Sequence, residues 1–125
     1  MSDNESAESW GFSEAKAGGG LLFCSGQIGV EADGSVSSDA ARQFELAFGA
    51  LGDVLARHGS TAAEIVDLTT FHVGYPNNME AFMAAKTAFL NGASCCWTAI
   101  GVAALGYPGS LVEIKAIARI PDPAS

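Results

Sequence analysis

The segment WTAIGVAALGYPGSLVEIKAI, which runs from Trp97 to Ile117, decides the fold. It predicts two strands joined by a Gly-Tyr-Pro-Gly turn, because apolar and β-branched residues fill both halves and turn formers lie between them. Both faces of the first strand are apolar or small, which indicates that it is covered on both sides. In the second strand, alternation places Glu113 and Lys115 on the same face, between apolar neighbours.

The rest of the chain carries the periodicities of two helices and three more strands. Two short runs around Gly18-Gly19-Gly20 predict a hairpin over residues 10–28. Apolar residues at spacings of three and four predict a helix from Ser38 or Asp39 to His58. A strand over 64–75 and a helix from Asn77 or Asn78 to Leu90 follow. The expected inner stripe of that helix consists of Met79, Phe82, Met83, Lys86, Phe89 and Leu90. This order is typical of an α+β two-layer sandwich, in which two helices cover one face of a mixed sheet.

The second face of that sheet needs a partner. Two helices cover only one face, whereas the strands carry isoleucine, valine, leucine, alanine and tryptophan on both. Soluble monomers rarely expose such a large apolar patch. The pattern therefore predicts an oligomer in which copies of the chain cover the second face.

Length and charge limit the classes of protein to which the chain can belong. With 125 residues and 49% hydrophobic content, we expect one domain over 1–125, with a flexible acidic leader at 1–9 and a flexible tail at 121–125. A net charge of −8 disfavours nucleic acid and anionic membrane surfaces as partners. The start MSDNESAES has no basic region and no later run is long enough to span a membrane, so we expect a cytoplasmic protein.

Cysteine and histidine usage indicates neither disulfides nor a metal site. Cys24 stands alone, and Cys95 and Cys96 are adjacent rather than spaced as metal ligands. His58 closes a predicted helix, where a cation interacts favourably with the helix dipole, so we interpret it as structural.

Three motifs in the same order resemble the RidA/YjgF family of reactive intermediate deaminases: SGQIGV from Ser25, QFELAFGALGDVLARHG from Gln43, and IGVAALGYPGSLVEI from Ile100. The resemblance covers residues 10–120. It implies a chorismate mutase-like fold and a homotrimer with a small-molecule ligand at each subunit interface. It also implies hydrolysis of an enamine or imine to a keto product and ammonia, without metal or organic cofactor.

Carried over by position, the resemblance assigns roles to six residues. Glu113 is the catalytic glutamate that positions the attacking water, and Gly26 supplies a backbone amide to the substrate. Phe12 stands where the family has a tyrosine, and Trp97 where it has the arginine that binds the substrate carboxylate. Thr98 and Ala99 follow in the same site, Ala99 in place of a frequent cysteine.

The missing arginine leaves two hypotheses open. In one, the protein is a deaminase with altered specificity, in which Trp97 forms a flat wall for a conjugated, 2-aminomuconate-like substrate, and Lys16, Lys115, Arg119 or a neighbouring subunit replaces the arginine. In the other, it is a non-catalytic trimeric ligand-binding protein in which Trp97 fills an inactive cleft. Glu113 then has a structural role, as a partner of Lys115 or of a terminal amide across the subunit interface. RNA cleavage is not expected.

Overall fold

The computed structural model describes residues 11 and 13–121. A five-stranded mixed sheet carries two helices on one face, as the sequence predicted. The elements are β1 (Ala15–Gly18), β2 (Leu21–Gln27), α1 (Ala40–Arg57), a 3₁₀ turn (Ala62–Glu64), β3 (Ile65–Val73), α2 (Met79–Leu90), β4 (Cys96–Val102) and β5 (Val112–Arg119). The strand order is β1-β2-β5-β3-β4, and only the β3–β4 pair is parallel.

The first hairpin and the first helix form where the sequence predicted them. Gly19 and Gly20 both have positive φ, 61° and 79°, which two-residue hairpin turns of this kind require. Helix α1 begins after Asp39, whose carboxylate accepts a hydrogen bond from the Ala41 amide, and ends at His58. Its apolar stripe is buried as predicted; the buried members include Phe44, Phe48, Leu51 and Leu55.

Helix α2 is less buried than its sequence predicted. Phe82 packs edge-on against Phe44 of α1, with ring centroids 5.3 Å apart. Met83 was expected in the same inner stripe, but it is half-exposed. A side chain one residue further along a helix is rotated by about 100°, so Met83 turns away from α1 when Phe82 faces it.

The last two strands are not neighbours, although a short turn connects them in sequence. Strand β3 lies between β4 and β5, so the connection 103–111 crosses the end of β3. This crossing places the Gly-Tyr-Pro-Gly segment above one end of the sheet.

The two faces of the sheet have different environments. The face under the helices is buried; its residues include Leu22, Cys24, Leu68, Thr70, Val112, Ile114, Ala116 and Ala118. The opposite face, which we call the open face, carries Phe23 at 47% exposure and Ile100 at 38%. Neither helix is long and apolar enough to cross a membrane, as judged over the residues that the structure describes.

Candidate functional site

Two of the residues assigned from sequence, Gly26 and Glu113, lie against each other. Gly26 sits in an irregularity of β2, where the pairing with β5 shifts between Cys24 and Gln27. A Cβ atom added at Gly26 would lie 2.6 Å from Glu113 Cδ and 2.7 Å from Oε2. The glycine therefore allows the carboxylate of Glu113 to lie directly on the β2 backbone.

Glu113 and Gly26 form one end of a groove of about 840 Å³. Its walls are the end of β2 with the loop that follows, the outer side of α1, and the connection between β4 and β5. The lining residues include Ile28, Val30, Leu46, Gly49, Ala50, Asp53 and Tyr107. Carbon atoms make up most of the exposed surface, but five carboxylates and two arginines also line the groove, so it suits a small ligand with an apolar body and a polar end at Glu113.

Both arginines that line the groove are held by glutamates. Arg42 donates two hydrogen bonds of 3.0 Å to the carboxylate of Glu31. Arg57 donates to both oxygens of Glu14, at 2.9 and 3.0 Å. The Glu14 side chain is nearly buried, and the hydrogen bonds from Arg57, followed by the contact with His58, hold its pKa below the ordinary value of 4.5.

His58 occupies the structural position that the sequence indicated. It caps the end of α1, and its Nε2 atom lies 3.0 Å from Glu14 Oε2. The Glu14–Arg57–His58 cluster thereby fastens the start of β1 to the last turn of α1.

A buried glutamine fixes the base of the β4–β5 connection. Gln43 of α1 accepts a hydrogen bond from the Leu111 amide at 2.9 Å and donates to the Ser37 and Gly109 carbonyls. Higher in the same connection, the Tyr107 hydroxyl donates to the Gly34 carbonyl in the β2–α1 loop. The two loops at the mouth of the groove are thus joined to each other and to α1.

Trp97 does not line this groove. It pairs with Leu68 of β3, and its side chain lies on the helix-covered face, stacked against Phe82 at 6.1 Å. Glu113 pairs with Phe71, on the open face. Within one subunit the sheet separates Trp97 from Glu113, so a pocket that holds both side chains would have to form between copies of the chain.

The indole of Trp97 has a structural role instead. Its Nε1–H donates to Thr70 Oγ1 at 2.9 Å, and Thr70 Oγ1 lies 2.8 Å from Nε2 of buried His72. Burial lowers the pKa of His72, which favours the neutral ring. Lys86 of α2 lies over the indole, 4.4 Å from its centroid. These contacts connect β3, β4 and α2.

The remaining assigned residues divide between the two faces. Ala99 pairs with Thr70 and lies on the helix-covered face with Trp97. Thr98 pairs with Thr69 and lies on the open face, as Glu113 does. Phe12 lies outside the described residues.

Of the cations considered as replacements for arginine, only Lys115 adjoins Glu113 along the strand. It lies two residues further along β5, on the open face. Arg119 instead contacts Glu64 at 3.4 Å, and Lys16 lies on β1, opposite Phe23. Over the described part of the chain, Glu113 and Lys115 form no ion pair within one subunit.

The three cysteines are free thiols, and none of them lines the groove. Cys24 is buried, and its burial raises the pKa of the thiol to about 11. Cys95 packs against the core, and Cys96 is exposed on β4. Over residues 11 and 13–121, no three side chains of the His, Cys, Asp and Glu types come together to hold a metal ion.

Comparison with known proteins identifies the family. A family model described as Endoribonuclease L-PSP matches residues 3–120. The chain belongs to this family. It is the RidA/YjgF family that the three sequence motifs indicated, and the fold is the family's fold.

Individual relatives agree with this RidA/YjgF assignment. RutC family protein YjgH of Escherichia coli (strain K12) is 41% identical over 112 residues, which cover 89% of this chain and 84% of the relative. A solved structure of protein YJGH superposes with a TM-score of 0.82 at 40% identity, covering 92% of this chain and 88% of that one. The Rid family protein YyfA of Yersinia pestis superposes with a TM-score of 0.81 at 30% identity, covering 88% of each chain.

Sequence reasoning missed three residues that shape the groove of this RidA/YjgF protein. Tyr107 was interpreted only as part of a turn, and Gln43 only as part of a helix. Glu14 was not considered, because its partner Arg57 is 43 residues away. The only available signal was Gln43, a glutamine among the buried positions of an amphipathic helix, because a buried side-chain amide requires hydrogen-bond partners.

Proposed function

We propose that this RidA/YjgF protein is a cofactor-free hydrolytic deaminase, which converts a small enamine or imine to a keto product and ammonia. The proposal rests on one observation: the carboxylate of Glu113 packs directly against the backbone of Gly26, and both residues line the groove. Such a carboxylate has the position and chemistry of a general base with room for a water molecule beside it.

The proposed reaction uses one carboxylate and one water. Glu113 accepts a proton from water as the water oxygen bonds to the imine carbon. It returns that proton to the nitrogen, which gives the carbinolamine. Glu113 then transfers the hydroxyl proton to the same nitrogen, the C–N bond breaks, the C–O bond becomes the carbonyl, and the nitrogen leaves as ammonia. Imine and water thus give ketone or aldehyde and ammonia, with no change in oxidation state.

Substrate specificity differs from that of a carboxylate-binding deaminase. Each of the three arginines in the chain contacts a glutamate: Arg42 with Glu31, Arg57 with Glu14, and Arg119 with Glu64. An anion that binds without such a cation loses the roughly 1.5–3 kcal/mol of a charged hydrogen bond. We therefore propose a substrate with a conjugated or apolar substituent, in which the carboxylate contributes less to binding.

We propose that the working form is a homotrimer with the ligand at a subunit junction. Phe23 and Ile100 are large apolar side chains exposed on the open face, which also carries Glu113. Covering this face with copies of the chain removes apolar surface from water and encloses the end of the groove at Glu113.

RNA is a poor substrate for this groove despite the name of the family model. Its lining includes five carboxylates and two arginines, and the whole chain carries a net charge of −8. This charge balance repels a phosphate backbone.

The test uses imines made in the assay by flavin-dependent oxidases. D-Amino acid oxidase supplies 2-iminopropanoate from D-alanine and 2-imino-3-phenylpropanoate from D-phenylalanine, and a flavin amine oxidase supplies the carboxylate-free imine of phenylethylamine. Semicarbazide traps the imine that escapes hydrolysis. We expect wild type to lower the semicarbazone yield for at least one imine, and Glu113→Gln to reduce that rate by about 10²-fold or more.

The matched control is Glu80→Gln, which removes the same charge from the exposed first turn of α2. We expect it to keep the wild-type rate within twofold. If wild type and Glu113→Gln both leave every imine at its uncatalysed rate, the deaminase proposal is wrong. The alternative of a non-catalytic trimeric ligand-binding protein, favoured by the ion-paired state of all three arginines, would then stand.

A further inference from the structure

The aromatic residue that lines the groove together with Glu113 is Tyr107, not Trp97. Among the described residues that line the groove, Tyr107 is the sole aromatic side chain. Its side chain is 40% exposed, so the protein interior leaves much of the ring surface uncovered. A partly exposed ring in a groove that also contains a carboxylate offers a contact surface for a flat ligand.

The Tyr107 ring is held from both ends of its loop. At the base, Gln43 bonds to the Gly109 carbonyl and the Leu111 amide. At the tip, the Tyr107 hydroxyl donates to the Gly34 carbonyl across the mouth of the groove. Ring orientation is thus fixed before a ligand arrives, which lowers the entropy cost of binding.

The acceptor loop is anchored as well. Gly34 lies in a turn in which the Glu31 amide donates to the Ser35 carbonyl at 2.9 Å and the Gly34 amide donates to the Glu31 carbonyl at 2.8 Å. The Glu31 carboxylate is fixed by Arg42 of α1. The hydrogen bond from Tyr107 to Gly34, which we call the tether, is therefore connected to α1, one wall of the groove, through Glu31 and Arg42.

We propose that Tyr107 is the specificity-determining residue of the site, and that its ring contacts the flat, unsaturated part of an uncharged imine whose reacting carbon lies at Glu113. The location of the reacting carbon rests on the proposed function. The contact between the ring and an unsaturated ligand does not, because it also holds for a binding protein without turnover. An uncharged ligand fits because both arginines of the groove already bind glutamates.

The experiment separates binding from turnover. Two stable neutral amides serve as probes: cinnamamide, which carries a conjugated phenyl ring, and isobutyramide, which carries a short alkyl group. Ligand affinity is measured by NMR titration for wild type, Tyr107→Leu and Tyr107→Phe. The controls are Tyr75→Leu and Tyr75→Phe, because Tyr75 is the chain's other tyrosine, is similarly exposed and packs over Gly101 instead of the groove.

We expect Tyr107→Leu to weaken cinnamamide binding roughly 3–10-fold and isobutyramide binding less than twofold, since an aromatic contact contributes about 0.5–1.5 kcal/mol. Tyr107→Phe keeps the ring but loses the tether, so we expect an intermediate loss and faster amide hydrogen exchange in residues 103–110. Both Tyr75 variants should match wild type.

Equal loss of both probes in Tyr107→Leu, or unchanged cinnamamide affinity with native circular dichroism, would overturn the assignment of Tyr107. If Tyr107→Leu unfolds, Tyr107→Phe decides, because unchanged exchange in residues 103–110 would refute the tether. If wild type hydrolyses imines but cinnamamide affinity does not depend on Tyr107, this inference alone is refuted. If cinnamamide affinity depends on Tyr107 but wild type hydrolyses none of the imines, the deaminase proposal alone is refuted.

Discussion

Replacing Gly26 with alanine tests whether Glu113 acts from the position that the structure shows. The new Cβ would lie 2.6 Å from Glu113 Cδ, 2.7 Å from Cγ and 2.7 Å from Oε2. Carbon atoms in contact are normally about 3.5–4.0 Å apart, so the carboxyl end must move by about 1 Å. The atoms that must move belong to a side chain, which can rotate without displacing a strand.

This displacement should reduce turnover more than stability. A misplacement of about 1 Å at a reacting group can reduce the rate by about 10²-fold. The φ angle of Gly26 is outside the positive range that disfavours side chains. A Gly→Ala change at such a position stabilises the folded state by about 0.4–1 kcal/mol, because alanine lowers the conformational entropy of the unfolded chain. We therefore expect a melting temperature close to that of wild type.

Two other glycines provide matched controls for Gly26→Ala. Gly49 also lines the groove, but an added Cβ there meets no atom within 4 Å, so Gly49→Ala should keep full activity and stabilise α1 by about 0.5–1 kcal/mol. At Gly29 an added Cβ would lie 1.9 Å from the backbone oxygen of Gln43, so Gly29→Ala should lower the melting temperature strongly.

The measurements are imine turnover in the semicarbazide assay and thermal unfolding by circular dichroism. If Gly26→Ala turns over imines at the wild-type rate, the argument that catalysis requires the observed position of the Glu113 carboxylate is refuted. An equal loss of activity in Gly49→Ala would also refute it, because the effect would then come from any methyl group added to the groove.

Three further predictions follow from other contacts. Glu14→Gln should lower the free energy of unfolding by about 1–2 kcal/mol at pH 7. Because Arg57 depresses the pKa of Glu14, this contribution is present above about pH 4.5 and is lost as the pH falls through the folded-state pKa. Urea unfolding should therefore show a constant difference between wild type and variant at pH 6–8 that shrinks below pH 4. Trp97→Phe removes the hydrogen bond to Thr70 and should cost about 1 kcal/mol of stability while leaving imine turnover within twofold of wild type; a large loss of turnover would return Trp97 to the site. Phe23→Asp places a charge on the open face and should convert a trimer to a folded monomer in light scattering, whereas an unchanged mass would contradict burial of that face between subunits.

Much of the secondary structure was predictable because local patterns determine it. The spacing of Phe44, Phe48, Leu51 and Leu55 specified the buried face of α1. The sequence left Ser38 and Asp39 as alternative starts, and the structure selects Asp39. The alternation along β5 correctly placed Glu113 and Lys115 on one face. Packing of Met83 was not predictable, since it depends on how α2 lies against α1.

The candidate site was only partly predictable. Motif position brought Gly26 and Glu113 into the same site, and the structure places them in contact. Tyr107 was missed because its role depends on a hydrogen bond to Gly34, 73 residues away, which no local pattern encodes.

By itself, the sequence determined the helices, the strands and the apolar residues on both sheet faces, because each follows from residue type and spacing, and its three motifs indicated the family by resemblance. Only the tertiary structure decided which face Trp97 occupies. Both faces of its strand are apolar or small, so alternation cannot distinguish them. The choice came from parallel pairing with β3, which aligns Trp97 with buried Leu68 and sends its side chain away from Glu113.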